Sequence, residues 1–330
     1  MLAHARPLDA FTALVAARLG LRLDPRTAGE IIERRAGARQ LTVGRYLGAA
    51  DEPGELRELA SELTVNETYF FRHAEQLDAF VAHALPDRLA ARAGDRQLRV
   101  LSAGCSTGEE PYTLAMLLHD RMPAGWQVEV RGVDIDRRAL DHAAAGRYSR
   151  WSLRAVPEAV ERRWFAPARD AAVLSPALRG AVSLAEVNLA TDATPWQPGW
   201  DVVFCRNVLM YFTGDQADAL IARIVDGLLP GGYLFLGHAE ILGSRGASRP
   251  GARGAAALET CSSHGTFYYR RAAAPAHAAG RIAATQPIRT EREPGPLDAA
   301  LDALVSTGGD EPDIQLQRAL IQLAQIGAGT

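Results

Sequence analysis

The sequence predicts an α/β protein: a doubly wound, mostly parallel sheet, preceded by a helical domain and interrupted by a small β-rich insertion. Two observations carry this. From residue 97 onward short apolar runs alternate with helical patterns, as in a parallel sheet covered by helices on both faces. Before residue 92 the apolar spacing is helical throughout, with no strand-like alternation.

Phe11, Leu14, Val15 and Leu19 recur at helical spacing, Pro25 opens a second pattern with Ile31 and Ile32, and Pro53 a third with Leu56, Leu59 and Leu63. These place a helical domain at 1–73 and a linking helix at 74–94. A sheet domain follows over 95–271. Leu98–Ala103 reads as a buried strand, Gly104–Gly108 as a turn, and Pro111–His119 as a helix. The same alternation gives a strand at Val128–Val133, a helix at 137–145, a strand at Asp201–Cys205, a helix at Asp215–Leu229 and a strand at Tyr233–Gly237. The segment His264–Arg270 suits a closing strand at the sheet edge. Residues 150–185 are too long for a simple crossover and predict an inserted subdomain. Residues 272–330 read as a Pro/Ala-rich linker and a short amphipathic helix.

A net charge of −3 argues against a general nucleic-acid binder. All 36 basic residues are arginines. Cys105, Cys205 and Cys261 form no CxxC pair and stand at no metal-ligand spacing to a histidine, so neither a metal nor a disulfide framework is expected. With no apolar run long enough for a signal peptide or a membrane span, a cytosolic monomer is expected.

The turn after the first strand lacks both GxGxxG and GxxxxGK[ST]. Gly104 and Gly108 permit close backbone approach, but Glu109 and Glu110 occupy the helix N-terminus that a pyrophosphate would use. A cationic, phosphate-free ligand such as S-adenosylmethionine suits this loop better. Asp134 ends the second strand, where an acid can accept hydrogen bonds from both ribose hydroxyls; Asp136 is the better candidate for capping the next helix. Two further clusters, "VNETYFFR" (65–72) and "FCRNVLMYF" (204–212), put polar groups among aromatics at the domain junction and at the carboxyl edge of the sheet.

These blocks, with "GCSTGEEPYTLAM", "VDIDRRALDHAAAGRYS" and "PGGYLFLGHAE", resemble the chemotaxis receptor methyltransferases (CheR) in order and spacing over residues 66–240. The resemblance implies methyl transfer from S-adenosylmethionine to receptor glutamates, giving γ-carboxyl methyl esters and S-adenosylhomocysteine. It implies cofactor contacts from Asn66, Thr68, Arg72, Gly104, Glu110, Asp134, Asn188, Leu189, Arg206 and Asn207. Arg72 is assigned to orienting a carboxylate, either the cofactor's or the substrate's, and Tyr211 to a position near the methyl, although a core aromatic accounts for Tyr211 nearly as well. The partner implied is the cytoplasmic domain of a methyl-accepting receptor. Arg34, Arg35, Arg39 and Arg45, in a run without acids, are its candidate contacts or simply a solvated face.

The chain departs from enteric-type members after Phe165, where "APARDAAVLSPALRG" lacks their glycine-rich hairpin; docking without a peptide tether is expected. The alternatives are another acceptor for the same cofactor, including a receptor outside chemotaxis, or a non-catalytic sensor.

Overall fold

The computed structural model describes residues 2–240, 242 and 258–272; of the linker and helix expected at 272–330, all but residue 272 lie outside these. Four helices open the chain: α1 (Leu2–Leu19), α2 (Pro25–Ala38), α3 (Val43–Ala49) and α4 (Pro53–Leu63). Asp24 caps α2, accepting from the Arg26 and Thr27 amides, and Pro25 suits the first turn because its missing N–H would be unpaired there anyway. Phe11, Val15, Leu19, Ile31, Ile32, Tyr46 and Leu59 share a buried core. The linking helix runs as α5 (Ala74–Ala79), a π-helical turn (Phe80–Ala84) and α6 (Leu85–Ala91). Pro86 lies just beyond the wide turn, which relieves the clash a proline makes with the preceding turn of a regular helix.

Strands β1 (Gln97–Ala103), β2 (Gln127–Asp134), β6 (Val182–Glu186), β7 (Trp200–Cys205), β8 (Leu228–Leu236), β9 (Leu258–Ser263) and β10 (Thr266–Arg271) form the larger sheet, in the order β6-β2-β1-β7-β8-β10-β9. The first five are parallel. Helices α7 (Glu109–Arg121), α8 (Arg137–Ala145) and α11 (Gly214–Gly227) form the crossovers. Every residue of β7 is buried, which is why it reads as a continuous apolar run. The strand at 266–271 does not close the sheet: β9 pairs antiparallel with it and takes the edge.

The insertion is a small antiparallel sheet of β3 (Arg147–Tyr148), β5 (Ala171–Leu174) and β4 (Phe165–Ala168), with helices α9 (Glu158–Trp164) and α10 (Pro176–Gly180). It begins at β3 and ends before β6, so the boundary near 185 moves back to about 180. A two-residue connection joins β4 to β5, where the sequence lacks the glycine cluster.

The linking helix is bonded to the sheet by a buried ion pair. Arg88 Nη2 and Nε donate to Asp201 Oδ1 at 2.9 and 3.1 Å, and Asp201 Oδ2 accepts from the Arg99 amide at 2.9 Å. Both side chains are almost fully buried. Removing either partner would strand the other charge in the interior.

Candidate active site

Strand β1 delivers the chain into the turn 104–108 at the carboxyl edge of the sheet, beside β2 and β7. Gly104 has φ +80°, and a Cβ there would collide with Val208 Cγ2, so this position needs glycine for both backbone and space. A cleft opens here, lined among others by Asn66, Gly104, Asp134, Asn188, Leu189, Asn207 and Tyr211. Leu19 and Leu21 complete one wall, so the helical domain contributes to the cleft.

Asp134 is buried at the cleft. Its Oδ2 accepts from the Ser106 amide at 2.7 Å and its Oδ1 from the Asp136 amide at 2.9 Å. A carboxylate has about four acceptor sites, so these amides leave capacity for a further donor. Burial pushes its carboxyl above the usual range, against the pull of those amides. Asp136 caps α8, accepting from the Arg138 amide, and also accepts from Ser61 and from Asn66 Nδ2 at 2.7 Å. Asn66 Oδ1 in turn accepts from Ser106 Oγ at 2.7 Å. Asn66 thus bolts the 64–73 segment onto the glycine turn.

Glu110 and Arg206 do not line the cleft. Glu110 Oε1 accepts from Ser102 Oγ at 2.6 Å and Oε2 from Arg206 Nε at 2.6 Å. Arg206 Nη1 donates to the Arg72 carbonyl at 2.7 Å and to Gln76 Oε1 at 3.3 Å. Both oxygens of Glu110 therefore have protein partners, and the pair ties the "NETYFFR" segment to α7 and β7. Thr68 and Arg72 also lie outside the lining. Burial raises the Tyr211 phenol, and the charge of Arg72 opposes part of that rise. Tyr211, on the rim, is therefore a protonated O–H donor near neutral pH.

Asn188 holds one wall of the cleft. Its Nδ2 donates to the Arg18 carbonyl at 2.7 Å, its Oδ1 accepts from the Ala190 amide, and its amide donates to Asp192. Leu189 is buried beside it, and Ile135 adds apolar surface. Apolar walls with one carboxylate at the end of β2 fit a nucleoside.

Glu240 is a residue that sequence reasoning missed. Buried beyond β8, it accepts from the Asn207, Gly237 and Met210 amides at 2.9, 2.9 and 3.2 Å. It holds Asn207 at φ +59°. Burial raises its carboxyl, and these amides offset part of that cost. Nearby, His238 Nε2 lies 2.5 Å from Glu75 Oε1, and the His73 ring packs edge-on against His238. Burial lowers His73 to about 4.

The expected receptor patch is largely neutralised within the fold. Arg35 pairs with Glu55 at 2.8 Å and Glu58 at 3.4 Å, Arg39 with Glu52 at 2.8 Å, and Arg34 with Glu62. Of the four arginines only Arg45 has no carboxylate partner among the described residues.

Residues 66–249 match the family model "CheR methyltransferase, SAM binding domain". The chemotaxis protein methyltransferase 2 of Vibrio cholerae is 36% identical over 199 residues, 59% of this chain and 69% of that protein. A probable biofilm formation methyltransferase, WspC, of Pseudomonas putida is 32% identical over 328 residues, 94% of this chain and 76% of that protein. The WspC of Pseudomonas aeruginosa is 33% identical over 245 residues, and the match spans only 56% of its length. Among the described residues no helix is long and apolar enough to cross a membrane. The chain belongs to the CheR family of S-adenosylmethionine-binding methyltransferases.

Proposed function

We propose that the protein methylates glutamate side chains of a signalling receptor, forming γ-carboxyl methyl esters. The observation that carries this reading is Arg72: a guanidinium whose charge acts on Tyr211 in the cleft wall, with no carboxylate partner among the described residues. A carboxylate, the acceptor's or the cofactor's own, supplies the missing counter-charge.

When bound, S-adenosylmethionine supplies a methyl group on a sulfonium, whose sulfur leaves as a neutral thioether. A glutamate acceptor is already ionised near neutral pH, so no general base is required. The protein's task is then alignment and exclusion of water. Asp134 would hold the ribose hydroxyls and Leu189 and Ile135 flank the base. Gly104, Asn66 and Asn207 shape the cleft around the remainder. Arg72 would orient the acceptor carboxylate, with the Tyr211 hydroxyl as a second donor. Glu110 and Arg206 position Arg72 through its backbone.

Relatives named for chemotaxis support receptor adaptation as the setting. The relative aligned over 94% of this chain is named for biofilm formation, which favours a receptor with that output over one controlling motility. The test is incubation with methyl-labelled cofactor and receptor-bearing membranes, followed by mild alkali. Released volatile methanol is the expected result; label that stays on the protein would overturn the ester.

A further inference from the structure

Arg72 is one end of a stacked row. Its guanidinium lies 5.7 Å from the centroid of the Tyr69 ring, and that of Arg154 lies 3.6 Å from the same centroid. Arg154 also stacks on Trp151 at 4.1 Å. Each arginine is fixed by one backbone carbonyl: Arg72 Nη1 donates to the Glu67 carbonyl at 2.6 Å and Arg154 Nη1 to the Trp151 carbonyl at 2.7 Å. Neither has a carboxylate partner among the described residues. Glu67, the adjacent acid, offers Arg72 its backbone oxygen. By contrast, Arg150, four residues before Arg154, is paired with Glu161.

Such a row holds two positive charges side by side and leaves most of their N–H donors free. Stacking on aromatic rings lowers the entropy these long side chains lose when they accept a partner. Sharing one ring, the two guanidinium carbons are at most 5.7 plus 3.6 Å apart, about 9 Å. Side chains one helical turn apart start about 5–6 Å from each other, and glutamate side chains can splay to cover the rest. Trp151, 68% exposed, ends the row with an apolar plate, and Val65, 63% exposed, adds another at the cleft.

We propose that Arg154, held between Tyr69 and Trp151, reads a second carboxylate on the acceptor, selecting helices in which the target glutamate has an acidic neighbour one turn away. This rests on the glutamate reading above and adds the acceptor's local sequence to it.

The probes are two alanine-based helical peptides with one central glutamate, carrying either glutamates or glutamines four residues to each side. Peptide binding is followed by fluorescence anisotropy at low salt with S-adenosylhomocysteine present, and methyl transfer by alkali-labile label. The wild-type protein is expected to bind the acidic peptide about fivefold more tightly, the upper range for an exposed ion pair. Arg154→Gln should bring the ratio close to one, while Arg154→Lys keeps part of the preference. No preference in the wild type, no binding of either peptide, or a preference that persists in Arg154→Gln would overturn the proposal. An Arg154-dependent preference without ester on either peptide would sink the glutamate reading alone. Ester on both peptides with equal binding would sink the Arg154 proposal alone.

Discussion

The helical domain and the rim of the cleft both carry clustered arginines, and they use them in opposite ways. In the helical domain Arg34, Arg35 and Arg39 face Glu52, Glu55, Glu58 and Glu62 across the α2–α4 contact, so a strongly basic run becomes an internal ion-pair ladder. At the rim Arg72 and Arg154 stand on Tyr69 and bond only backbone carbonyls. The segment that looks basic in one dimension is nearly neutral in three, and the charge left for a partner lies beside the chemistry.

The most severe way to break this contrast is at Glu55. Its buried carboxylate accepts from Arg35 Nε and Nη2 and from the Tyr46 hydroxyl. Glu55→Ala should cost about 1.5–3 kcal/mol of stability in urea unfolding, because it leaves Arg35 with only its longer hydrogen bond to Glu58 and deprives the buried Tyr46 hydroxyl of its acceptor. Arg72→Ala should do the reverse. Ester formation should fall about 100-fold, equivalent to about 2.7 kcal/mol in the barrier, while stability changes by less than about 1 kcal/mol. Unchanged turnover would remove Arg72 from the site.

Titration separates the regions again. Burial would raise Glu55, but its bonds to Arg35 and Tyr46 outweigh this and hold it below the usual carboxylate range. Its folded pKa is depressed, so its contribution to stability is present above the unfolded value of about 4.3 and is lost as pH falls through the folded value. Asp134 shifts the other way, raised by burial. Ionised Asp134 is the form that accepts from two hydroxyls, so cofactor affinity should weaken on acidification while the pH is still above about 3.9. Calorimetric titration should show this limb, and Asp134→Asn should flatten it. The smallest effect belongs to Arg39, partly exposed and paired with Glu52. Arg39→Ala should change stability by under about 1 kcal/mol and receptor methylation by less than twofold. A large loss of methylation would restore the helical patch as a docking site.

The central strands and Asp134 were legible because burial on both faces writes a continuous apolar run, ended here by an acid at the cleft. The edge strands were not. β6 has a single buried residue and β9 has none, so neither stands out from the loops around it. The carboxylates of the helical domain lie 13 to 28 residues from their arginines and meet them only when α2 packs on α4. Tyr69 and Arg154 likewise meet only through the insertion, where the Phe70 amide donates to the Ser152 carbonyl at 3.0 Å. Glu240 was illegible for another reason: its partners are backbone amides, which no residue type announces.

One junction bears on modularity. Leu21 bridges Phe212, the Arg22 amide donates to the Tyr211 carbonyl at 2.7 Å, and Asn188 holds the Arg18 carbonyl. The helical domain is therefore masonry in the cleft rather than an appendage to it. A chimera that grafts a relative's helices onto this sheet would inherit a breached wall unless residues 18–22 travel with their counterparts at 188 and 211–212.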